Sequence, residues 1–295
     1  MTHYTSMSKL TITGLLVAGC LFAAWAAHAA ELTPPPDAQA GAGFIIGSSG
    51  SGEATFYLIG PTSVVKRQVR LGQPIQIAPQ DSQGAGRYVA IVNRGNQSTS
   101  VTFWVDAAKP ERIALIARPS RLPVARTNGI SGVVYPFDNF HNLVLRPEQV
   151  KFQLSVGDAA PLARTLTTRN GVAWTEMDSS RKAGPAQFTA SIGDVSERRV
   201  VQQVASDPCN LRMRAQRTQD GIEVVTDPIR DCAGNPVPDG TIVTFTAASP
   251  QGRSSVDARI KRGFAKAELP PMQSGNISVA SGVVMGNEIR WGGGQ

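Results

Sequence analysis

Apolar and polar residues alternate with a period of two through most of the chain. Val150, Phe152 and Leu154 alternate with Lys151 and Gln153, and Ala186, Phe188, Ala190 and Ile192 alternate with Gln187, Thr189 and Ser191. Val101, Phe103 and Val105 flank Thr102 and the amphipathic Trp104, while Ile75 and Ile77 flank Gln76. Successive side chains of a strand point to opposite faces, so this alternation predicts strands with one face in a core and the other in water. The runs are short, and turn formers separate them, as at Gly72, Asn93-Arg94-Gly95, Asn170-Gly171 and Asp239-Gly240. Past the first thirty residues no convincing helical periodicity competes. Half-buried strands joined by tight turns predict an all-β sandwich or barrel.

An internal repeat divides these strands into domains. Asp138-x3-Asn142-x-Val144, followed by Val150-Lys151-Phe152, recurs 93 residues later as Asp231-x3-Asn235-x-Val237 and Val243-Thr244-Phe245. Gly171-Val172-Ala173-Trp174-Thr175-Glu176-Met177 matches Gly263-Phe264-Ala265-Lys266-Ala267-Glu268-Leu269 at an offset of 92, and Gly184 matches Gly275 at 91. Order and spacing held over three blocks predict two consecutive copies of one domain of about ninety residues, near the size of an immunoglobulin-type sandwich. Gly86-Arg87-Tyr88-Val89-Ala90 is a looser relative of the Gly184 and Gly275 blocks. Tyr88 stands where many sandwiches place a corner tyrosine whose hydroxyl ties down a turn. The predicted organisation is a leader over 1–30, a linker over 31–42 and three sandwiches over 43–106, 107–206 and 207–295. The linker rests on Pro34-Pro35-Pro36 and Gly41, a stiff stretch followed by a flexible one.

The leader differs in kind. Lys9 is its one residue with a full charge, ahead of a largely apolar run from Leu10 to Ala27 that ends in Ala27-His28-Ala29. A basic start, an apolar core and small residues at the cleavage positions make a secretory signal peptide, cut after Ala29 or Ala30. Val17-Ala18-Gly19-Cys20 also fits a lipobox, which would put a lipid on Cys20, although the apolar run continues past that cysteine. Export leaves Cys209 and Cys232, an even pair in an oxidising compartment, and therefore predicts a disulfide. The chain has 29 Lys+Arg against 22 Asp+Glu and a net charge of +7, but the basic residues are spread thinly and lack interleaved aromatics. That excludes a base-stacking nucleic-acid surface and leaves weak attraction to anionic envelope polymers.

Two stretches resemble a known family. Arg112-Ile113-Ala114-Leu115-Ile116-Ala117-Arg118-Pro119-Ser120-Arg121-Leu122-Pro123-Val124 resembles the opening strand and proline turn of bacterial Ig-like domains of the invasin/intimin (Big-1) type. Asp231-Cys232-Ala233-Gly234-Asn235-Pro236-Val237, leading into Val243-Thr244-Phe245, resembles that family's central turn and strand, and Gly263-Phe264-Ala265 its later turn. The likeness runs over about residues 109 to 295 and implies tandem immunoglobulin-like β-sandwiches in a cell-envelope setting. It brings neither an outer-membrane barrel region nor a lectin-like domain, so it speaks less directly for adhesion to a host.

Candidate chemistry is sparse. His141 is the one histidine outside the leader, and the repeat places it opposite Gly234 in a turn, without partners for a catalytic or metal-binding role. Gly47-Ser48-Ser49-Gly50-Ser51-Gly52 lacks the G-x-S-x-G spacing of a nucleophile elbow and reads as a loop. Asp227, Asp231 and Asp239 have two readings, a Ca²⁺ site at a domain end or turn aspartates, and turn preference favours the second. Tyr135, Phe137, Phe140 and His141 crowd one connection of the middle domain, where its copy has Pro228, Arg230, Ala233 and Gly234. Such aromatics either anchor a partner or fill the joint with the preceding domain. The expected function is an exported, non-enzymatic protein, without cofactor or metal, that binds a protein or glycan of the cell envelope or serves as a spacer. The alternative is an accessory docking subunit of an exported enzyme or secretion complex. It would work in the periplasm, at the cell surface or outside the cell, touching membrane only through a lipid on Cys20.

Overall fold

The computed structural model describes residues 30–292, so the predicted signal sequence, its cleavage motif and Cys20 lie outside the described residues. The first core is enclosed by β1 (Leu32–Thr33), β2 (Phe44–Ser48), β3 (Glu53–Ile59), β4 (Val64–Arg70), β5 (Ile75–Ile77), β6 (Gly86–Arg94) and β7 (Gln97–Val105). These form one sheet ordered β1-β2-β5 and a second ordered β4-β3-β6-β7. Alternate residues point inward, so Phe44 and Ile46 of one sheet meet Phe56, Leu58, Tyr88 and Ala90 of the other. Tyr88 is fully buried, its hydroxyl donates to the Gly84 carbonyl at 2.8 Å, and burial raises its pKa. That is the expected tyrosine corner. Gly60 makes room for it: a Cβ there would lie 2.3 Å from Cε1 of the ring.

Residues 31–42 correct the sequence-based expectation of a linker. Leu32, Ala38 and Ala40 are buried in the first core, and β1 pairs antiparallel with β2. The Ala40 N–H donates to the Asp106 carbonyl at 2.7 Å, closing the segment onto the end of β7. The proline triplet is largely exposed and only ends β1, because proline cannot donate to a ladder. Without this segment the β2–β5 pair would leave part of the core uncovered.

The second sandwich contains β8 (Arg112–Arg118), β9 (Arg121–Pro123), β10 (Ile130–Phe137), β11 (Gln149–Val156), β12 (Leu162–Thr167), β13 (Ala173–Met177), β14 (Gly184–Ile192) and β15 (Val195–Val204). Its sheets run β13-β10-β8 and β12-β11-β14-β15-β9, with β9 parallel to β15. Phe152 and Phe188, on the neighbouring strands β11 and β14, stack side by side in the core with centroids 6.0 Å apart, and Gly132 keeps β10 clear of the Phe188 ring.

The third contains β16 (Pro208–Cys209), β17 (Met213–Arg217), β18 (Ile222–Thr226), β19 (Arg230–Asp231), β20 (Ile242–Ser249), β21 (Gly252–Arg259), β22 (Lys266–Leu269), β23 (Gly275–Ser281) and β24 (Val284–Trp291). Its main sheets run β17-β18-β22 and β21-β20-β23-β24, around Phe245, Ile222, Ile260 and Leu269. Cys209 and Cys232 are joined in a disulfide beside the β16–β19 ribbon. Setting aside β9, β16 and β19, all three units share one topology. The first, second and fifth strands form one sheet, and the fourth, third, sixth and seventh form the other. The first unit is therefore a complete, if small, sandwich. Three separate apolar cores, one per unit, replace the single core a chain of this length could bury.

Candidate interaction surface on the second sandwich

The repeated Asp-x3-Asn turn builds the joints between sandwiches. Asp138 Oδ1 accepts from the backbone N–H groups of Phe140 and Asn142 at 2.9 and 2.8 Å, which shapes the turn. Its Oδ2 accepts from the Asn142 carboxamide at 2.9 Å and from the Ala108 N–H in the connection at 3.0 Å. Thus oriented, Asn142 reaches the first sandwich, accepting from the Ala85 N–H at 2.9 Å and donating to the Gln83 carbonyl at 2.7 Å. The second joint repeats this group by group. Asp231 accepts from Ala233, Asn235 and Ser206 N–H groups, while Asn235 accepts from the Ala183 N–H and donates to the Arg181 carbonyl, both at 2.8 Å. Burial pushes the Asp231 carboxyl up, but hydrogen bonds from Asn235, Ser206 and Ala233 outweigh it and hold its pKa below the ordinary value. In the third sandwich the matching carbonyl, Met272 O, accepts instead from the indole N–H of its own Trp291 at 3.2 Å.

The crowded aromatic connection divides between two places. Phe140 packs on the first core, against Gly41, where a Cβ would lie 2.1 Å from the ring. It fills the joint. His141 has φ +68° and the matching Gly234 has φ +89°, so both occupy the left-handed turn position that the repeat implied. The His141 ring is exposed, and the Arg112 guanidinium donates to its Nε2 at 2.8 Å. Tyr135 and Phe137 lie half-buried on the outward side of β10, away from the core.

There they join residues that the sequence reading did not single out. Val133 is paired across the sheet with Ile116 on β8 and Trp174 on β13. Tyr135 is paired with Ala114 one step along. The outer face of the β13-β10-β8 sheet is thus an apolar patch, with Trp174 62% and Ile116 47% exposed. The same register in the third sandwich places Arg214 and Lys266 on either side of Val225. Next to that row Gln216 donates to Glu223, which also pairs with Lys266. One sheet face is therefore apolar in one copy and charged in the other, on the same scaffold. The Trp174–Lys266 match in the repeat was the available signal, but it takes strand register to bring Ile116 and Val133 alongside.

The remaining candidates are separated. Asp227 pairs with Arg214 at 3.2 Å, Asp231 is used at the joint, and Asp239 accepts from the N–H groups of Arg262 and Gly263. No group of three metal-binding side chains occurs among the described residues. In the serine-rich loop, Ser48 Oγ donates to the Gln73 carbonyl and accepts from the Gly72 N–H, while Ser49 Oγ accepts from the Glu31 N–H. These hydroxyls stitch neighbouring loops together.

Fold and surface together define an all-β protein of tandem immunoglobulin-like sandwiches. Similar solved structures include FdeC, an adhesin of Escherichia coli, at a TM-score of 0.60 and 12% identity over 90% of this chain and 96% of that one. InvD of Yersinia pseudotuberculosis is similar at 0.53 and 10% identity, over 88% and 96% of the two chains. At such identities the likeness speaks for the fold alone. No protein-family model matches the sequence, and no curated protein matches it.

Proposed function

We propose that the chain is an exported, non-enzymatic Ig-like protein of the Big-1 type that binds a component of a cell envelope or surface through its second sandwich. The observation that carries this reading is the apolar row Ile116–Val133–Trp174 on a sheet face whose copy in the third sandwich is charged. A contiguous exposed apolar patch costs solubility, and a protein that keeps one on one copy alone has a use for it. Tyrosine and tryptophan are also the side chains that contribute most at recognition surfaces. Export is supported by the leader's signature and by the Cys209–Cys232 disulfide, a bond at home in oxidising compartments. Adhesins among the proteins of similar fold agree with a binding role.

The test borrows the protein's own alternative. Ile116→Arg and Trp174→Lys put on the second sandwich the residues its copy already carries, so the fold should hold. The fluorescently labelled protein is expected to bind intact bacterial or host cells saturably, and the double variant to bind roughly tenfold or more weakly with an unchanged melting temperature. Equal binding by the two proteins, or none by either, would overturn the reading.

A further inference from the structure

The middle sandwich carries a second surface feature. Beside Trp174, between the edge strands β12 and β13, lies an open cleft of about 720 Å3 lined by Gln149, Thr165, Leu166, Thr167, Arg169 and Trp174. The side chains of Gln149, Thr165, Thr167, Arg169 and Trp174 make no hydrogen bond or ion pair to any described residue. In the third sandwich three of the matching positions are satisfied internally, while Gln149 is matched by the apolar Ile242 and Arg169 by Lys261. Asp257, in the place of Thr165, accepts from Thr244 at 2.6 Å, and Arg259, in the place of Thr167, donates to the Gly240 carbonyl at 3.3 Å. Lys266, in the place of Trp174, pairs with Glu223. The same fold has thus committed the counterparts of Thr165, Thr167 and Trp174 in one copy and left these three free in the other.

We propose that this cleft binds a saccharide that carries a carboxylate. An exposed indole offers a flat apolar face to the C–H side of a pyranose ring and a polar edge to its hydroxyls. Threonine hydroxyls and a glutamine amide both donate and accept, as sugar hydroxyls require. The Arg169 guanidinium is a planar fork that matches a carboxylate with two parallel hydrogen bonds. No carboxylate lines the cleft, and the neighbouring Glu148 is held by Arg146 at 2.8 Å. An anionic ligand therefore meets one free cation and no opposing charge. A peptide strand adding to an edge would be held through its backbone and would leave these five polar groups unused. The inference rests on the middle sandwich being the binding domain and names what it takes.

Isotope-labelled protein can be titrated with a galacturonic-acid trimer, with sialyllactose and with neutral maltotriose, following the indole N–H signal that Trp174→Phe removes. A saturable shift is expected with at least one of the two acidic sugars, and maltotriose should bind roughly tenfold or more weakly. Arg169→Ala and Trp174→Ala should each weaken the acidic sugar by a similar factor at unchanged melting temperature, and Ile116→Arg should leave it alone. No saturable shift with either acidic sugar, equal affinity for maltotriose, or full binding by Arg169→Ala would overturn the proposal. Cell binding lost in Ile116→Arg alongside no sugar binding sinks the cleft but leaves the apolar face standing. Sugar binding with cell binding indifferent to Ile116→Arg does the reverse.

Discussion

Asp231 keeps its charge in a nearly closed site because the Asn235, Ala233 and Ser206 N–H groups and the Asn235 carboxamide all donate to it. Those bonds favour the ionised form, so the folded pKa lies below the ordinary value of 3.8. The stabilisation is therefore full above that ordinary value and is lost as pH falls through the lower folded one. Asp231→Asn should remove about 1.5–3 kcal/mol at neutral pH, since hydrogen bonds to a charged group contribute in that range. It should also flatten part of the loss of stability between pH 5 and pH 2, as read from urea midpoints. An unchanged pH slope in the variant would mean that the carboxylate contributes nothing. The motif was legible in the sequence as a repeat, and Gly234 opposite His141 was legible as a turn. The job of Asn142 was not. Its carboxamide meets backbone groups 57 and 59 residues away, and nothing local to a turn encodes what packs against it. Phe140 left two readings open for the same reason, and only the fold puts Gly41 beneath its ring.

Strands are where local pattern and outcome agree best. The alternation in Val150–Leu154 and Ala186–Ile192 became β11 and β14, neighbours with Phe152 and Phe188 stacked inward. The pattern failed at β1, where one buried leucine precedes three prolines: two residues are too few for a period, and proline composition reads as a spacer. Alternation also says which side chains share a strand face but not which strands lie side by side. Ile116, Val133 and Trp174 become one row only through antiparallel register. The disulfide acts at this scale as well, tying the β16 segment, which enters from the joint, to the turn that holds Asp231. Replacing both cysteines by serine should cost the third sandwich about 3 kcal/mol through the larger entropy of its unfolded chain. Calorimetry should show its transition moving down while those of the other two units stay in place. A common downward shift of all three would mean that the bridge does more than staple one domain.

Across the whole molecule, the two matching Asp–Asn clamps make each joint a defined contact. Each asparagine contributes two hydrogen bonds to the preceding sandwich, about 1–3 kcal/mol per joint if both count fully. Asn142→Ala with Asn235→Ala should leave three folded sandwiches whose mutual orientations spread, seen as a broadened distance distribution in small-angle X-ray scattering. An unchanged distribution would show that packing such as Phe140 on Gly41 holds the joints unaided. The all-β class, the copying of the second unit in the third, the pairing of Cys209 with Cys232 and the corner held by Tyr88 were all legible in the residues alone. Each of these is written in short-range periodicity, in spacing that recurs, or in residue counts. That residues 31–42 complete the first sandwich, that the repeated turn is a clamp, and that Ile116, Val133 and Trp174 share a surface came with the fold. Those features arise from contacts between residues tens of positions apart, and such contacts exist only once register and packing have been chosen.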